Sequence, residues 1–182
     1  GIAMDDEELY KKALYGSDMT GENGGFVMQL DNLFSPDGYF TEGAYYHRYA
    51  IWPFVAFAQC IDHHSPELGI FAYRDSVILR SVNTLAQETY CGEFMHFNDA
   101  LEKGFSAQEL IYAIDIAYNA DRSNKMLLTI ADTYQHRVMI SDAGYWVAKG
   151  RSDGKAQPIK YSSALLKDGP EGKDGAVAII RS

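Results

Sequence analysis

The strongest constraint on the fold is the stretch from about Thr41 to His64, where apolar and aromatic residues recur almost without interruption through "EGAYYHRYAIWPFVAFAQC". Strands rarely exceed about ten residues, so a run this long predicts one largely buried helix. Pro53 is its candidate kink, and Ser65 and Pro66 are its stop. No run of about eighteen apolar residues occurs, which argues against a membrane-spanning helix.

The following segment, "PELGIFAYRDSVILRSVNTLAQETYCG", carries Leu68, Phe71, Ala72, Val77, Ile78, Val82 and Leu85 at helical spacing. It predicts a second long helix closing near Gly92, joined to the first through "HSP" as an antiparallel hairpin. Upstream, "MDDEELYKKALYG" places acids early, lysines later and Gly16 at the end, the signature of a short capped helix. "GFVMQLDNLF" reads as another helix, and "SPDGYF" breaks the chain after it. "CGEFMHFNDALEKGF" is a connection; then Ser106, with Glu109 three residues on, forms a capping box that opens "SAQELIYAIDIAYNA". "NKMLLTIADTYQHR" adds one more helix.

After about Val138 the periodicity shifts toward two, in "VMISDAGYWVAKG", "IKYSSALL" and "GAVAIIRS", with turn-rich spacers between them. These predict strands, the last of which reads as a strand without a sheet. The expected organisation is a mainly α portion over residues 1–137, followed at 138–182 by a linker and the first strands of a truncated β domain. The open edge of such a strand invites pairing with a second copy, so a homodimer is a further expectation.

At 182 residues with 47% hydrophobic content, the chain is long enough to bury a core. A formal net charge of −9 argues against a general nucleic-acid binder, although not against a local cationic pocket. "GIAMDDEEL" has neither the basic nor the apolar region of a signal peptide. Cys60 and Cys91 have neither zinc spacing nor a CxxC pattern, and no metal site is expected in this chain.

On the long helix, Tyr45, Arg48, Tyr49 and Trp52 share one stripe, while Glu42, Tyr46 and Pro53 lie about a quarter turn round. Core packing accounts for such a pattern, since tyrosines bury large areas and arginine stacks on rings. A second account is a sugar site, with rings on pyranose faces and Arg48 pairing a carboxylate in fork geometry, which suits an acidic polysaccharide. A phenol beside a cation can also donate a proton or, with a lowered pKa, accept one.

"SPDGYFTEGAYYHRYAIWPFVAFAQCID", with "PELGIFAYRDSVILRSV" and the "NDA" after "EFMHF", resembles the heparinase II/III-like polysaccharide lyases, especially the oligoalginate-lyase branch. The tail "SSALLKDGPEGKDGAVAIIRS" is similar to that family's entry into its β domain. The resemblance implies part of an (α/α) toroid of antiparallel helical hairpins before β-sandwiches, and β-elimination on uronic-acid chains such as alginate or a glycosaminoglycan. It implies Tyr46 as the proton-transferring residue, with Tyr45, Arg48 and Tyr49 lining the sugar subsites and Asn98 facing the substrate from a loop; Glu42, one turn before Tyr46, is placed to orient the phenol or Arg48, or else to serve the helix dipole as a first-turn acid. It further implies a periplasmic or secreted setting. Similar enzymes also draw an Asn-His pair from a preceding helical segment, and His, Arg and Tyr residues with a structural zinc from the following β domain. None of these is found here, so the chain reads as one wall of a larger lyase's cleft, catalytically silent alone. The rival expectation is a non-catalytic helical module that holds glycan or a partner domain.

Other candidates have plainer readings. His63 and His64, beside Asp62, point about 100° apart on a helix and suit dipole compensation at its C-terminus. Asn98 and Asp99 also suit loop fixing, and His96 and His136 suit single structural roles. "GENGG" is a flexible turn, and "DGPEGKDG" lacks the spacing of a calcium loop.

Overall fold

A computed structural model describes residues 1–98 and 100–181; Asp99, singled out above with Asn98, lies outside the described residues. Among the described residues, seven α-helices form the main body, and the strands form two small antiparallel pairs. Helix α1 (Glu7–Tyr15) is capped by the Asp6 side chain, which accepts from the Leu9 N–H, and ends at Gly16 with φ +87°. Helix α2 (Gly25–Leu33) packs against it.

The long apolar run forms α3 (Ala44–His64), with Pro53 inside and His63 and His64 in its last turn. Ala44, His47, Ile51, Phe54, Val55, Ala58 and Ile61 make its buried stripe at three- and four-residue spacing. His64 meets the Tyr10 ring edge-on at 4.7 Å, which ties α3's end to α1.

The second helix differs from expectation. Residues Pro66–Leu68 and Ile70–Ala72 are separate 3-10 turns, and α4 (Tyr73–Gln87) opens with Arg74, Asp75 and Ser76 all in left-handed conformation, becoming regular from Val77. Non-glycine residues enter that region at a cost, so the surroundings must hold them there. Arg74 supplies part of the hold: Nη1 donates to the carbonyls of Leu30 (2.6 Å), Asp31 (3.2 Å) and Phe34 (3.0 Å), satisfying the end of α2. Helices α3 and α4 run antiparallel, because His47, near the start of one, meets Ser81, far along the other.

A short hairpin, β1 (Thr89–Tyr90) with β2 (Glu93–Phe94), interrupts the connection to α5 (Gln108–Ala120). The predicted capping box does not form. The N-cap is Ala107 with no side-chain cap bond, and Glu109 reaches instead to Arg48 on α3. Helix α6 (Met126–Ile130) runs into a π-helical turn at Ala131–Gln135.

The period-two reading of "VMISDAGYWVAKG" is overturned: α7 (Asp142–Ser152) is a helix, with the Ser141 hydroxyl accepting from the Gly144 N–H. Its buried stripe is Ala143, Gly144, Val147 and Gly150. Such small residues carry little apolar signal, yet they let α7 lie close to its neighbours. A methyl group at Gly150 would sit 2.8 Å from the Tyr118 hydroxyl of α5.

The last two strands behave as predicted in kind, but the final one has its partner within the chain. Strand β3 (Ala164–Asp168) pairs antiparallel with β4 (Asp174–Ile179), Leu165 facing Ala178 and Leu166 facing Val177. Leu166 and Ile179 bury against Tyr39. The Arg181 guanidinium donates to the carbonyls of Gln87 (2.5 Å) and Thr89 (2.8 Å), and Arg74 Nη2 donates to the Pro170 carbonyl at 2.7 Å.

Candidate functional site

Gly43, with φ +81°, turns the chain into α3. A side chain there would meet Asn98 Nδ2 at 2.9 Å and the Phe97 ring at 3.2 Å, so the Asn98 loop lies directly against the start of the helix. Asn98 Nδ2 approaches the Tyr39 hydroxyl at 3.5 Å, the outer limit of a hydrogen bond. Glu42, just before this turn, is exposed.

From this start, α3 projects three tyrosines at different depths. Tyr45 is buried, its ring edge-on to Tyr46 at 5.1 Å and to Tyr49 at 5.9 Å. Tyr46 is 38% exposed. Tyr49 is exposed, 6.5 Å from the Tyr46 ring.

Arg48 sits beneath this wall. Its side chain is only 2% exposed; the guanidinium carbon lies 3.6 Å from the centroid of the Tyr49 ring and 4.5 Å from that of Tyr45. Nη1 donates to Glu109 Oε1 at 2.9 Å, while Nε and Nη2 are buried without a hydrogen-bond partner. The cation is therefore stacked and paired, and it presents no open fork to solvent. Arg48, beside the Tyr49 phenol, holds its pKa below the ordinary value of 10, with a second contribution from Tyr45.

Further along α3, Trp52 stacks on Tyr112 of α5 at 4.8 Å. A groove of about 730 Å³ is lined by Tyr49, Trp52, Pro53, Phe57, Cys60 and Glu109, together with Ala56. The structure thus gathers Tyr45, Arg48 and Tyr49, and it places Tyr46 at the exposed margin of that cluster. Asn98 stands at the helix start, away from the groove-lining residues.

Two features escape the sequence reading. Glu109 is one, because its partner lies 61 residues away. The other is a buried polar pair behind the wall. His47 Nε2 lies 2.7 Å from the Ser81 hydroxyl and its Nδ1 3.9 Å from Glu88. Burial lowers the His47 pKa from 6.5 to about 3, so the imidazole is neutral near pH 7, and it raises that of Glu88 well above its usual 4.5. A signal for His47 existed: it falls on the same spacing as Ala44, Ile51, Phe54 and Val55.

Among the described residues, no three His, Cys, Asp or Glu side chains converge as metal ligands, and no helix is long and apolar enough to cross a membrane. Cys60 and Cys91 are exposed free thiols.

No family model matches the chain. Two curated relatives align with all 182 residues at 44% identity: an alginate lyase of Stenotrophomonas maltophilia (strain K279a) and an exo-oligoalginate lyase of Saccharophagus degradans (strain 2-40). The chain spans 24% of the length of each.

Proposed function

We propose that this chain is part of a polysaccharide lyase that cleaves uronic-acid chains of the alginate type by β-elimination. The observation that carries the reading is the 44% identity, along the whole chain, to two alginate lyases. The helical body, with its antiparallel α3 and α4, is compatible with a segment of the (α/α) toroid of heparinase II/III-like lyases, and the β3–β4 hairpin with the entry to their β domain. A periplasmic or secreted setting follows from the same resemblance.

Elimination needs three contributions. The uronate carboxylate must be neutralised so that the C5 proton becomes acidic, a base must take that proton, and an acid must protonate O4 as the C4–O4 bond breaks and the C4=C5 bond forms. Tyr46 is the proton-transferring phenol in this reading, and its surface position leaves the hydroxyl free to reach a sugar. Tyr49 and Tyr45 form the adjoining wall, with Arg48 as a cation behind it. Glu42 and Asn98, at the start of α3, complete the sugar-facing set. The partners that complete catalysis, and the zinc implied by resemblance, belong to other parts of the longer lyase.

Tyr46→Phe in the full-length enzyme tests the assignment. Loss of one hydroxyl should abolish release of unsaturated products, read by their ultraviolet absorbance, while sugar affinity changes little. Turnover within about twofold of wild type would remove Tyr46 from the chemistry and favour a glycan-holding module, since loss of proton transfer costs roughly a hundredfold or more.

A further inference from the structure

Glu109 lies at the first turn of α5, where an acid ordinarily complements the helix dipole. Its geometry gives it a more specific task. Oε1 accepts from Arg48 Nη1 at 2.9 Å, while Nε and Nη2 of the same guanidinium are buried and unpartnered. The cation rests in the corner made by the nearly perpendicular rings of Tyr45 and Tyr49, at 4.5 Å and 3.6 Å. Ring faces attract a cation but leave it free to rotate in its own plane, whereas a carboxylate on one terminal nitrogen fixes that rotation.

We propose that Glu109 is a positioning residue of the aromatic wall, pinning Arg48 flat behind Tyr49 so that the arginine serves as a built-in charge instead of a mobile ligand for sugar carboxylates. This deepens the lyase reading and rests on it for its catalytic meaning, though the pinning itself does not. The groups that shift the Tyr49 phenol are Arg48 and Tyr45 from α3 and Glu109 from α5, with the titratable Tyr46 ring 6.5 Å away on α3. Arg48 and Tyr45 lower its pKa, and Glu109 raises it. Removing Glu109's charge and removing its grip therefore have opposite effects.

The test is a titration of Tyr49 by NMR of carbon-13 labelled tyrosine in the full-length enzyme without substrate, with Tyr49→Phe assigning the signal. Glu109→Gln keeps an acceptor for Nη1 and deletes the negative charge, so the Tyr49 midpoint should fall below wild type. Glu109→Ala deletes the same charge but also frees Arg48 to swing toward water; because Arg48's lowering contribution is the larger of the two, the midpoint should rise. Glu109→Asp, which retracts the acceptor by one methylene, should also raise it and substitutes for Ala if circular dichroism shows that variant unfolded. A purely helix-dipole role predicts no difference between Asp and wild type.

In turnover, Glu109→Ala should lose about ten- to a hundredfold in kcat/KM, the scale of a misplaced group, and Glu109→Gln should lose less than Ala. Midpoints that move in the same direction for Gln and Ala, or stay at the wild-type value, overturn the proposal. Failure of the wild-type enzyme to release unsaturated products from any uronic-acid chain would instead sink the lyase reading, leaving the titration to decide the pinning.

Discussion

Asp115 stands in the middle of α5 with its side chain buried. Oδ2 accepts the Met139 N–H at 2.6 Å, and Oδ1 has no hydrogen-bond partner. Burial raises its pKa from 3.8 to about 7, against smaller lowering effects of Met139 and Arg151. Because the folded value lies above the unfolded one, the folded chain holds more protons between these limits. Stability from this group is intact below about pH 4 and is lost as pH rises through about 7. A rise of about three units at 1.36 kcal/mol each amounts to roughly 4 kcal/mol.

Asp115→Asn keeps an acceptor for Met139 and removes the titration. It also buries an amide with an unpaired donor, costing about 1–3 kcal/mol. The variant should therefore be less stable than wild type near pH 4, and more stable by about 1–3 kcal/mol near pH 8.5. Urea unfolding of both chains across that range, extrapolated linearly to water, gives the difference at each pH. A difference that stays constant would refute the reasoning, since a group that titrates alike in both states contributes no slope.

Two further outcomes are expected. His47 has its folded pKa depressed to about 3, so stability should fall as pH drops from 6.5 toward 3, and His47→Gln should flatten that acid limb in the same unfolding series. Arg74→Met removes charged donors from three carbonyls at the end of α2 and should cost about 2–3 kcal/mol of unfolding free energy, measured at pH 7 by denaturant midpoint.

Much of the helical frame could be read ahead of the coordinates because its signals are local. Asp6, the lysines and Gly16 mark α1, and the spacing of Ile51, Val55 and Ala58 marks α3. Helix α7 was hidden because its core-facing positions are Ala, Gly, Val and Gly, which a search for large apolar residues passes over. The spacing Ser106–Glu109 satisfied a local rule, yet Arg48 offered the carboxylate a charged partner across the helix interface, and the tertiary pair prevailed over the cap. Periodicity correctly put Tyr45, Arg48, Tyr49 and Trp52 on one stripe of α3. It could not tell that the first two would be buried and the last two left at the solvent margin, because depth depends on how neighbouring elements pack. Asp115 did carry a mark: it is a lone acid in the apolar run "LIYAIDIAY".

Arg74 has a consequence for how the molecule opens. One nitrogen holds the carbonyls that finish α2, and the other holds Pro170, 96 residues away in sequence, in the loop between β3 and β4. Fraying at either place loosens the grip on the other, so an early helix terminus and a late hairpin loop share one free energy of local unfolding. Their amide protons should then exchange in step, although well over half the chain separates them.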